Sequence, residues 1–131
     1  NAKGLEETAA LLPDGQRISM EFDVRDRAGW ARAVETFGQA TNRRMHVLFN
    51  NAGVGKGGFI DEMSDDDLDL VLDVNLKGVV HGVEVVAPLI ESHGEGGHIV
   101  NTASFAGMVA GPAWEPYGAT KPYAPYPYGP P

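Results

Sequence analysis

The stretch from Ser64 to about residue 92 limits the fold more than any other, because its apolar residues do not keep to one side of a helix. Leu68, Val71, Asn75, Val79, Val83, Val86 and Ile90 form one helical stripe, while Leu70, Val74, Leu76, Val80 and Leu89 fall off it. A helix apolar on most sides is buried on most sides. It therefore has to lie against other layers. Ser64 offers an N-cap, and Asp65, Asp66 and Asp67 put negative charge in the first turn, where the helix dipole favours it.

Short strand-like segments flank that helix. Met45 to Asn50 is almost wholly apolar, as expected of a strand covered on both faces. Gly94, Gly96 and Gly97 then turn the chain into a further strand, His98 to Thr102. Nearer the start, residues 2 to 12 have helical composition and stop at Pro13-Asp14-Gly15, a turn tripeptide. In residues 17 to 24, Ile18, Met20, Phe22 and Val24 alternate with polar residues, which predicts an edge strand with one buried face. Asp26 caps the next predicted helix, in which Trp30, Val34 and Phe37 share a face and Gly38 marks the end. Alternating strands and helices imply a parallel sheet with right-handed crossovers.

Composition narrows the function. The chain has 131 residues, enough for one domain, and a net charge of -8 with no basic stripe, which argues against a nucleic-acid partner. It has no cysteine, which excludes disulfides and thiolate chemistry and leans towards the cytoplasm. No run approaches the roughly 20 apolar residues that span a bilayer, so no membrane role is expected. Residues 122 to 131, half of them proline, form a separate Pro/Tyr-rich tail that is expected to be extended or disordered. The expected organisation is a domain over residues 1 to 121 followed by that tail.

The predicted strands share a carboxyl edge, where ligands of open α/β sheets bind. They bring there Asp23 with Val24, then Asn50, Asn51, Ala52 and Gly53, then Ala103 and Ser104. Tyr117 and Lys121 are four apart and so share a helical face. An ammonium one turn from a phenol favours the phenolate, the form a general base requires. Asn75 interrupts an apolar stripe, and a buried amide without partners costs about 1–3 kcal/mol, so something should bond to it. It either holds a water there, or kinks or braces its own helix.

Two other patterns carry less. Gly53, Gly55 and Gly58 satisfy GxGxxG, but that fingerprint opens a helix at once, whereas the next capping signal here is Ser64. His46, His81, His93 and His98 show no metal-ligand spacing, and no metal is expected.

Asn51-Ala52-Gly53 after a buried strand, Asn75 in Asp73-Val74-Asn75-Leu76, Ser104 after Ile99-Val100-Asn101-Thr102-Ala103, and Tyr117-Gly118-Ala119-Thr120-Lys121 together resemble the short-chain dehydrogenase/reductase family. The intervals agree as well, 24 positions from Asn51 to Asn75 and 13 from Ser104 to Tyr117. The resemblance implies an α/β Rossmann-like fold, incomplete here because the first βαβ unit and the C-terminal strands are absent. It implies an NAD- or NADP-dependent oxidoreductase that interconverts an alcohol and a ketone or aldehyde, and a homo-oligomer in the full-length parent.

By the same resemblance, Asn75, Ser104, Tyr117 and Lys121 are catalytic. Tyr117 exchanges the proton on the substrate oxygen, Ser104 grips that oxygen, Asn75 holds a relay water, and Lys121 supports the phenolate and binds the nicotinamide ribose. Asp23, Val24, Asn51, Ala52 and Gly53 contact the cofactor with Tyr117 and Lys121, and Met108 to Glu115 line the substrate pocket. The family's glycine-rich phosphate turn does not precede Asn1, and Pro122 stops the Tyr/Lys helix early. Those departures leave a second function open, a catalytically inactive fragment that serves only as a folding or interaction module.

Overall fold

The computed structural model describes residues 2–13, 15, 17–109 and 111–121. Helix α1 spans Ala2–Ala9 and helix α2 Arg27–Ala40; strand β1 is Val47–Asn50. Helix α3, Asp65–Leu72, runs through a π turn at Asp73–Lys77 into helix α4, Gly78–Ser92. Strand β2, His98–Asn101, a 3-10 turn at Phe105–Gly107 and helix α5, Glu115–Ala119, complete the order. The Pro/Tyr-rich tail lies outside the described residues.

Strands β1 and β2 pair in parallel, with Val47 opposite His98 and Asn50 opposite Asn101. The connection between them is the α3–α4 helix, which packs back on the sheet as a crossover does. Leu48, Ile99, Val86, Ala87 and Ile90 make the core, with Trp30 and Val34 of α2 packed against it. The capping residues act as their types predict. Ser64 Oγ accepts from the amide of Asp67, and Asp26 accepts from that of Ala28. Helix α2 passes Gly38 and ends at a Thr41 cap, followed by Asn42 and Arg43 at positive φ.

Three expectations need correction. Residues 17 to 24 do not form the predicted edge strand. A strand exists only through ladder bonds to a neighbour, and a cavity of about 420 Å³ separates this segment from β1, with Ile18, Met20 and Phe22 on one side and Val47 and Phe49 on the other. The alternation is present, but the pairing partner is not. The same gap explains the second difference, that β1 is covered on one face only. Leu48 and Asn50 are buried, whereas Val47 and Phe49 are 56% and 61% exposed.

The third concerns the long helix, which is not regular throughout. The amide of Gly78 donates to the carbonyl of Asp73, five residues back, so one extra residue is accommodated in the turn. Such bulges recur at functional sites because they re-aim side chains. This one carries Asn75, which is 2% exposed.

Candidate active site

At the carboxyl ends of the strands, cross-strand side-chain bonds fix the backbone that forms the floor of the site. Asn50 Nδ2 donates to Asn101 Oδ1 at 2.9 Å, and Thr102 Oγ1 donates to Asn51 Oδ1 at 2.9 Å. The ladder extends one step beyond β2, with Thr102 N donating to Asn50 O. Both exits therefore leave the sheet in register, and the loop from Asn51 passes under the π turn of the long helix.

There the Asn75 amide takes hold of it. Asn75 Oδ1 accepts from the Val54 amide at 2.8 Å, and Nδ2 donates to the Val54 carbonyl at 2.9 Å and to Thr120 Oγ1 at 3.0 Å. The polar interruption of the apolar stripe is thus satisfied by a loop backbone and a side chain next to Lys121. Thr120 is itself buried, and its hydroxyl donates to the carbonyl of Tyr117 at 2.7 Å. One carboxamide thereby joins the loop after β1, the long helix and the end of α5.

Lys121 is 6% exposed, and its Nζ reaches the carbonyl of Thr102 at 3.4 Å and lies 5.8 Å from the centre of the Tyr117 ring. A Cβ placed on Gly53 would meet Lys121 Nζ at 3.0 Å and Asn75 Oδ1 at 3.3 Å, so a residue without a side chain keeps the ammonium and the amide at one point. Pro122 falls outside the described residues, but α5 ends at Ala119, as expected of a helix stopped before a proline. Lys121 still turns inward, through a bond from its amide to Gly118 O.

Ser104 and Tyr117 come together from different elements. Ser104 caps the short 3-10 turn, its Oγ accepting from the Ala106 amide at 3.3 Å. Tyr117 stands on α5, and both line one cavity of about 300 Å³ with Gly55, Lys56, Phe105 and Trp114. Gly118 allows this approach, since a Cβ there would overlap the Ala106 carbonyl. Met108, Val109, Pro112 and Glu115 line an adjoining cavity of about 460 Å³, with Trp114 shared between the two.

The remaining candidates stand at the turn before α2. Asp23 is held by Arg25, whose guanidinium donates at 2.7 Å and whose amide donates at 2.9 Å, and these bonds set the carboxyl below its ordinary range. Val24 packs against Gly78, just past the π turn, and its carbonyl accepts from Trp30 Nε1 at 2.9 Å. Val24 thus meets the site through the long helix, whereas the Asp23 carboxylate bonds to Arg25. Sequence reasoning missed Val54, Thr120 and Gly118. Only Gly118 had a signal, a glycine inside a helix where alanine costs less, which marks a close approach.

The chain has counterparts among known proteins. The family model for short chain dehydrogenases matches residues 1–123. A C alpha-dehydrogenase of Sphingobium sp. strain SYK-6 is 37% identical over 127 residues, which cover 92% of this chain and 40% of that protein. Among solved structures, a short chain dehydrogenase/reductase from Burkholderia phymatum in complex with NAD superposes with a TM-score of 0.81 at 39% identity, over 91% of this chain and 41% of that one. A gluconate 5-dehydrogenase from Burkholderia cenocepacia in complex with NADP and tartrate gives 0.71 at 33% identity, over 76% and 38%. The chain spans about two fifths of the length of the proteins it matches. On its motifs, its parallel α/β fold and these likenesses, the chain belongs to the short-chain dehydrogenase/reductase family.

Proposed function

We propose that this site interconverts a small-molecule alcohol and its ketone or aldehyde with NAD or NADP, Tyr117 serving as general acid/base. The observation that carries the reading is the shared cavity: Ser104 and Tyr117 line one space, and the ammonium of buried Lys121 lies 5.8 Å from the centre of the Tyr117 ring. A nicotinamide held there would supply the hydride chemistry of the interconversion, between its ring and the carbinol carbon.

The chain's residues fit such a cofactor at the ribose end. Lys121 carries three donors, one of them engaged by a long bond to Thr102 O, so it retains capacity for sugar hydroxyls. Gly53 leaves open the space in front of it. In the oxidation direction, Ser104 would donate to the substrate oxygen and hold it at a fixed distance, and the Tyr117 phenolate would remove the hydroxyl proton as the carbonyl forms. Asn75, already holding Val54 and Thr120, would orient the loop and the Lys121 segment, with a relay water beside it as its further role. The relatives complexed with NAD and with NADP support a nicotinamide cofactor of either kind.

Titration with NADH and NADPH, followed by nucleotide fluorescence and by quenching of Trp30 and Trp114, tests this reading. Saturable binding that Lys121→Ala weakens is expected. No binding of either nucleotide would favour the module without catalysis.

A further inference from the structure

At the opposite end of β1 from the candidate site, three side chains remote in sequence converge. His46 immediately precedes β1, His93 caps α4, and Glu95 sits in the turn before β2. One ligand atom from each lies within 4.8 Å of the other two. His46 Nε2 is 2.8 Å from Glu95 Oε2, and the two imidazole rings are 4.7 Å apart at their centres. Gly94 and Gly96, at φ of 71° and 76°, fold the turn so that Glu95 points back at the strand entry.

The hydrogen bonds around the cluster also orient it. His93 Nε2 lies 2.8 Å from the carbonyl of Met45, an atom that can only accept, so Nε2 carries the proton. In the neutral ring Nδ1 then holds the lone pair, which accepts from the Glu95 amide at 3.2 Å, a bond that an incoming ion would displace. A histidine whose far N–H is fixed on a backbone carbonyl is in the tautomer and orientation that metal-binding histidines adopt. Arg44 holds Glu95 by its other oxygen, Oε1, which leaves Oε2 facing His46.

We propose that His46, His93 and Glu95 form a site for a divalent transition ion of the zinc type. Two imidazoles and one carboxylate match the borderline preference of such an ion, and bond lengths of about 2.0–2.2 Å require the three ligand atoms, now within 4.8 Å of one another, to draw in around it. Solvent would supply the fourth position, because His46 and Glu95 are exposed. The Arg44 charge lowers the affinity below that of a closed four-ligand site, yet it also fixes the carboxylate. A bound ion would tie the start of β1 to the α4–β2 turn. Its effect would be on stability, since Tyr117 and Ser104 lie at the other end of the sheet.

Calorimetric titration of the protein with zinc chloride in a non-chelating buffer, alongside thermal unfolding with and without the ion, decides the matter. One saturable site and a raised Tm are expected, with magnesium chloride giving neither. Glu95→Gln and His93→Gln should each weaken zinc binding by about tenfold or more, while His98→Gln and Tyr117→Phe leave it unchanged. His93→Gln also removes the Met45 bond, so Glu95→Gln, at an exposed position, is the decisive variant if the first fails to fold. The absence of a one-to-one site, or equal binding by Glu95→Gln, would overturn the proposal. Neither result depends on the oxidoreductase reading.

Discussion

Asn75 shows how a single amide can assemble a site from parts distant in sequence. Its three bonds hold the Val54 backbone and Thr120, and through Thr120 the carbonyl of Tyr117. Asn75→Leu keeps the volume but leaves the Val54 amide and carbonyl without their partner. The variant should lose about 2 kcal/mol of stability in urea unfolding, and a loss near zero would show the loop finding other partners. The need for a partner at Asn75 was legible in the sequence because a polar residue stood in an apolar stripe. Its identity was not, since Val54 donates and accepts through its backbone, and backbone groups leave no trace in residue type. Gly118 was hidden for a related reason: its role is to be absent where the Ala106 carbonyl passes.

At the scale of elements, caps and periodicity were readable and pairing was not. Ser64 and Asp26 cap the helices their positions predict. Asp67, which donates its amide to Ser64, is also ion-paired with Lys56 at 2.7 Å, and chiefly that hydrogen bond sets its carboxyl below the ordinary range. A carboxyl depressed on folding stabilises above its unfolded value, about 3.9, and that contribution is lost as pH falls through the folded value. Lys56→Met should therefore lower stability above about pH 4, by the small amount that an exposed pair contributes, and converge with the wild type as pH falls further, which flattens the acid limb. An unchanged acid limb would place the effect elsewhere. The segment 17 to 24 has the right alternation for a strand and still forms none, because alternation reports a buried face and says nothing about a ladder partner. The π turn was likewise invisible, since Asp73 to Lys77 are compatible with an ordinary helix and only the inserted bond to Gly78 distinguishes it.

Among the described residues, the molecule is a two-stranded parallel sheet served by one crossover, with α2 on the core and an apolar gap beyond β1. The α/β class followed from the order of elements, and the family from four motifs at matching intervals. The gap makes the two faces of β1 unequal. Leu48→Ala should cost about 2–5 kcal/mol as a core truncation, whereas Phe49→Ala, on the open side, should cost less than half as much. Equal losses in chemical denaturation would mean that the open side is filled in solution.

In the proposed reaction the phenol of Tyr117 moves the substrate proton in the cavity that it shares with Ser104. The most direct measurement is the rate of NAD(P)H formation from a panel of secondary alcohols, by the wild-type protein and by Tyr117→Phe. The phenylalanine variant keeps the ring and loses the hydroxyl. A fall of about 10²–10⁴-fold in kcat with nucleotide binding intact is expected, and turnover equal to wild type would rule out the phenol as the proton carrier.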